Sequence, residues 1–94
     1  SNSYLVVKSG ISAEQFAKLI EVARATPRTV EFAGDVDLGL ITFITRTRLM
    51  GYPDYTTIQL VGDVLSIKAR ARFGRGDGGV NRVRVVAWMS AANI

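Results

Sequence analysis

The chain has 94 residues, 48% of them apolar, with two prolines and a formal net charge of +4, a composition that describes one folded domain rather than a disordered or multidomain protein. Cysteine and histidine are both absent, which excludes disulfides, thiol nucleophiles, Cys/His zinc centres and histidine acid–base chemistry. No apolar run approaches the roughly 18 residues that a membrane-spanning helix requires, and no charged-then-apolar signal segment opens the chain.

Ser1-Asn2 reads as a scar left by tag removal, which leaves native targeting and anchoring open. Residues 4–8 are a short apolar stretch closed by Ser9-Gly10, either an edge strand or an ordered arm. Ser12, with Gln15 three residues on, has capping-box spacing. Phe16, Leu19, Ile20 and Ala23 follow at helical intervals, with Glu14, Lys18 and Glu21 on the other side. A helix is therefore predicted over 12–25, ended at Thr26-Pro27 because proline disfavours helical geometry in the residue before it. Beyond it the period changes to that of strands: 29–33, closed by Gly34-Asp35, and a longer one over 38–49, rich in Thr, Ile and Phe. Gly51 to Asp54 is a turn. Strands over 55–61 and 64–73 flank Gly62-Asp63, a two-residue loop with glycine first, as a type II′ hairpin requires.

That hairpin has a self-consistent register. Pairing Val61 with Val64 sets Leu60 opposite Leu65 and Ile58 opposite Ile67 on one face. Gln59 then meets Ser66, Thr57 meets Lys68 and Tyr55 meets Arg70 on the other. If 51–54 is a four-residue connection, Arg48 falls opposite Thr57 and Arg46 opposite Gln59. Arg46, Arg48, Lys68, Arg70 and Arg72 then share one open sheet face. The last segment is ambiguous. Alternation over 80–86 reads as a strand, whereas Asn81 could cap a helix running to about residue 92, with Arg82 and Arg84 in a first turn where the helix dipole disfavours positive charge.

Residues 1–45 carry four basic and five acidic side chains, and residues 46–94 carry eight and three, so the halves have net charges of −1 and +5. Such asymmetry marks either an anionic partner or a solvated face. As a binding surface, the five cations would meet phosphates of a nucleic acid, lipid head groups or an anionic polymer, with Tyr55 and Tyr52 as stacking platforms. As a solvated surface, they would block edge-to-edge aggregation. The glycine-rich run 74–81 could cradle an anion with backbone amides, aided by Arg82 or Arg84. Lacking a nucleotide-binding spacing, it is better explained by unusual backbone angles and an Asp77–arginine contact. Arg75-Gly76-Asp77 matches an integrin-binding tripeptide at the level of chance. Asp54 and Asp77, the carboxylates near these arginines, would serve as ion-pair anchors rather than an acid–base pair. Trp88 and Phe16 are expected in the core.

Arg46-Thr-Arg48 with Gly51-Tyr-Pro-Asp54, then Lys68-Ala-Arg70-Ala-Arg72-Phe-Gly74, then Asp77-Gly-Gly79-Val-Asn81-Arg82-Val-Arg84, together resemble the domain of unknown function 1499 family. The resemblance runs from about Ile11 and is most specific in the spacing of Asp77, Gly79, Asn81 and Arg84. Where that family usually places serine before its paired strand arginine, this chain has Ala69 and Ala71. The resemblance implies a helix over 82–92 and no particular activity. Many members carry a membrane-anchoring or export segment, so the resemblance implies a membrane-attached or exported place in the bacterial envelope, with a cytoplasmic one as the alternative.

The expected architecture is thus one α+β domain over 1–94: a four-stranded antiparallel meander with an N-terminal and a C-terminal helix on one face. The expected function is non-catalytic. In one reading, Arg46, Arg48, Lys68, Arg70, Arg72 and Arg82 hold an anionic ligand or partner, nucleic acid being the weaker case. In the other, the domain is a protein–protein scaffold, with Asp54, Asp77, Gly79, Asn81 and Arg84 as internal architecture. No cofactor or metal site is expected, and an enzyme is the least supported reading.

Overall fold

Ser12 starts the first helix in the way its spacing predicts. In the computed structural model, which describes residues 3–71 and 79–94, its Oγ accepts the Gln15 N–H at 3.0 Å, and Gln15 Oε1 accepts the Ser12 N–H at 2.9 Å. Two N–H groups that the helix cannot satisfy internally are thereby paired. Helix α1 runs over Ala13–Arg24 and buries Phe16, Leu19, Ile20 and Ala23. Ser12→Ala is expected to cost about 1 kcal/mol, measured by urea denaturation; an unchanged midpoint would mean that the cap contributes nothing here.

The strands are β1 (Ser3–Lys8), β2 (Thr29–Asp35), β3 (Leu40–Arg46), β4 (Pro53–Val61) and β5 (Val64–Ala71). They form a five-stranded antiparallel sheet in the order β1-β5-β4-β3-β2, so the expected four strands are corrected to five. The added one is β1, which pairs Tyr4 with Ala69 and Val6 with Ile67. Its partner lies at the far side of the sequence, and five or six residues carry too little periodicity to announce it.

The β4–β5 hairpin has the predicted register throughout, from Val61↔Val64 to Tyr55↔Arg70. The β3–β4 register does not match expectation. Arg46 pairs with Pro53, while Gln59 faces Leu40 and Thr57 faces Thr42. The expected strand over 38–49 is shortened at both ends. At its start, a 3₁₀ turn over Val36–Leu38 is capped by Asp35, whose Oδ1 accepts the Asp37 N–H at 2.9 Å. Gly39 follows at φ +72°, where a Cβ would lie 2.5 Å from the Leu60 carbonyl oxygen. At its end, the chain leaves the sheet at Thr47 for a six-residue loop. The resulting shift is an even number of residues, so Arg46 keeps its side of the sheet but moves to the end. Arg48 leaves the strand altogether.

Helix α2 spans Val80–Ala91, the helical alternative of the two. Gly79 caps it at φ +82°, and Asn81 is its fully buried second residue rather than its cap. Its Val85, Trp88 and Met89 join the α1 residues and Ile41, Phe43, Ile58, Leu65, Ile67 and Ala69 in one core cluster. Because strand side chains alternate, that cluster uses a single sheet face. Trp88 packs edge-on to Phe43 with ring centroids 5.9 Å apart, and its Nε1–H donates to Thr26 Oγ1 at 2.9 Å.

Candidate functional site

The register sorts charge toward the two ends of the sheet. Where β3 and β5 finish and β4 and α2 begin stand Arg28, Arg46, Arg48, Arg70, Arg82 and Arg84. Asp54 is the carboxylate that accompanies them among the described residues. The opposite end carries Asp35 and Asp37 around the 3₁₀ turn and Asp63 in the β4–β5 turn, whose Oδ2 accepts the Gly10 N–H at 3.2 Å. A potential therefore runs along the molecule even though the net charge is modest.

At the basic end a cleft of about 230 Å³ is walled by Arg28, Arg46, Arg48, Asp54 and Arg84, with Val80 at its rim. Arg28 follows the proline that ends α1 and adopts φ +57°, a left-handed geometry costing a non-glycine residue on the order of 1–3 kcal/mol. One backbone and one side-chain hydrogen bond hold it there: its carbonyl accepts the Arg46 N–H at 2.9 Å, and its Nε–H donates to the Arg46 carbonyl at 3.3 Å. Arg46 Nη1 donates to the Gly51 carbonyl at 2.9 Å. These are contacts to neutral carbonyls, so they orient the guanidinium groups without cancelling their charge. Arg28, Arg46 and Arg48 are all exposed, and none forms an ion pair among the described residues.

The inner wall is built differently. Asp54 is 5% exposed, and its Oδ2 lies 3.5 Å from Arg84 Nη1. Arg84 Nη2 also donates to Asn81 Oδ1. Three polar side chains are thus buried together, as a desolvated charge requires. Beside them, the hydroxyls of Thr29 and Thr45 share a hydrogen bond of 2.8 Å.

The five-cation sheet face does not form as expected. Lys68 and Arg70 line a separate concavity of about 420 Å³ on the side away from the helices, with Phe32, Thr42, Tyr55 and Thr57. There Phe32 meets Tyr55 edge-on at 5.7 Å, and the Thr42 and Thr57 hydroxyls are 2.8 Å apart. Arg82 is exposed in the first turn of α2, and Arg72 and Asp77 lie outside the described residues. Arg28 was not anticipated. Its signal is present only as Pro27-Arg28 after a helix, which marks a turn but not the company it keeps.

Among the described residues, no three acidic side chains converge to hold a metal ion, and no helix is long and apolar enough to cross a membrane. A family model described as "Protein of unknown function (DUF1499)" matches residues 5–91. No curated protein matches the chain.

Proposed function

The chain belongs to the DUF1499 family, whose description carries no activity, and from the arrangement of its own residues we propose a non-catalytic domain that binds an anionic group in the cleft at its basic end. The observation that carries this reading is the charge of that cleft. Arg28, Arg46, Arg48 and Arg84 stand against Asp54, a net of +3, and Asp54 already serves Arg84. Three guanidinium groups are left facing solvent around a concavity of phosphate-group size. Guanidinium is suited to this task because its fork of donors matches two oxygens of a phosphate or carboxylate at once. Asp54, Asn81 and Arg84 form the framework in this reading, and Gly79 and Asp77 belong to the same family motif. Lys68, Arg70 and Arg82 extend the positive field around the site and strengthen steering of an anion.

The test is a thermal melt with inorganic phosphate and with sulfate, at low and high sodium chloride. At tenfold excess over Kd, binding to the folded state adds about 1.4 kcal/mol, or about 6 °C or more for a domain of this size. Arg28→Gln/Arg48→Gln should abolish most of that rise while leaving the unliganded melt nearly unchanged. A wild-type rise retained by this variant would remove the site from the cleft, and no rise with either anion would remove the reading.

The burial of Asp54, Asn81 and Arg84 favours a second reading, a protein–protein scaffold in which the arginine–aspartate motif is purely internal. It expects no anion-dependent stabilisation, so the same melt separates the two.

A further inference from the structure

The loop between β3 and β4 holds a run of outward apolar side chains near the basic end, Leu49 at 91% and Met50 at 61% exposure, followed by Tyr52 at 42%. Single exposed apolar residues are ordinary and need no explanation. This group differs in being contiguous, at a tip, and held out by an ordered loop. The Thr47 N–H donates to the Tyr52 carbonyl at 2.8 Å, the Gly51 N–H to the Thr47 carbonyl at 3.0 Å, and the Tyr52 N–H to Thr47 Oγ1 at 2.9 Å. Arg46 Nη1 clamps the Gly51 carbonyl from below. With its base closed in this way, the loop presents Leu49 and Met50 without needing to reorganise.

What stands around the tip identifies its partner. Arg46 and Arg48 flank it in sequence, and Arg28 shares their cleft. The nearest carboxylate of the framework, Asp54, is buried. A second copy of the chain meeting tip to tip would bring these cations against their own kind, which costs energy. An anionic bilayer satisfies both parts: the apolar tip enters the boundary between head groups and acyl chains, and the guanidinium groups meet lipid phosphates at its surface. We infer that the 47–52 loop docks the domain on an anionic membrane surface, with Leu49 and Met50 inserted and Arg46 and Arg48 at the head-group level. The acidic opposite end, with Asp35 and Asp37, then points away from the negatively charged surface.

This inference shares Arg46 and Arg48 with the anion-binding reading but does not stand or fall with it, because the apolar tip is absent from that site. The experiment is vesicle flotation of the whole chain with phosphatidylcholine vesicles, with and without phosphatidylserine. Wild type is expected to float with the anionic vesicles and at least about tenfold less with neutral ones, since each arginine near the surface is worth about fivefold. Leu49→Ser/Met50→Ser should lower partition onto anionic vesicles about tenfold or more while leaving both the melting temperature and any phosphate-induced rise intact. Three results would each overturn the inference: no flotation with anionic vesicles, equal flotation with neutral ones, or flotation indifferent to the Leu49/Met50 change. A wild-type dimer in sedimentation equilibrium that this variant converts to monomer would also overturn it, by assigning the tip to self-association.

Discussion

Replacing Asp54 with alanine is expected to destabilise the domain by about 3 kcal/mol, the lower end of what removing one partner of a buried ion pair costs. For a chain of this length, that loss lowers Tm by roughly 12–24 °C. The cause is not the lost attraction, which spans 3.5 Å. It is the Arg84 guanidinium left in place, 9% exposed as a side chain, without the share of its desolvation that Asp54 offset. Asn81 Oδ1 continues to accept from Nη2, which keeps the loss from being larger. The double variant Asp54→Ala/Arg84→Met separates this explanation from a general packing defect. Once the charge is also removed, an apolar side chain of similar length fills the space, and the double variant should be more stable than Asp54→Ala alone. Denaturation followed through Trp88 fluorescence measures both. A single-variant loss below about 1 kcal/mol would place the pair among solvent-screened surface bridges, and a double variant no better than the single would count against the weakened compensation of Arg84 as the cause.

Phe43→Ala is expected to have an effect of the same size or greater, about 3–5 kcal/mol. Phe43 is fully buried in the core cluster that the sheet shares with both helices, and its ring meets Trp88 edge-on. Truncation removes the transferred apolar surface and opens a cavity that a sheet paired on both sides of β3 cannot close by collapsing. Phe43→Leu retains most of the volume and should cost well under half as much. The urea midpoint should fall with little change in slope, since the unfolded chain exposes nearly the same surface. A loss under about 1 kcal/mol would mean that the space is refilled from elsewhere and that Phe43 is not at the centre of the core.

Together these two substitutions address the division of labour at the basic end. Asp54, Asn81 and Arg84 are polar side chains whose burial ties α2 to β4, whereas Arg28, Arg46 and Arg48 remain solvated around them. Changes to the first group should be read in stability, and changes to the second in the response to anions and vesicles. The membrane inference also gives a physical role to an arrangement that is otherwise costly: cations gathered at one end repel one another unless a counter-charge is supplied.

Much of this protein was legible in the residues wherever the governing interactions are local. The capping box acts over three residues, Pro27 ends α1 through its immediate neighbour, and a two-residue loop fixes the β4–β5 register by leaving it no slack. The partition of Ile58, Leu65 and Ile67 to the core, and of Lys68 and Arg70 to the other face, follows from alternation once that register is set. Tertiary structure decided what depends on closing longer stretches of chain. Strand β1 acquires its place only by pairing with β5 from the far side of the sequence. The six-residue loop, tied through Thr47 and Tyr52, displaces Arg46 to the sheet end and removes Arg48 from the strand, which divides the expected basic face. The same closure brings Arg28 beside Arg46 and seats Asn81 and Arg84 against Asp54. An alternating Val/Arg segment is equally compatible with a strand or a helix by period alone, and burial of Val85, Trp88 and Met89 against the sheet selects the helix. Local propensity specifies the elements, but which charges become neighbours is set by loop closure and by the apolar area buried when distant elements meet.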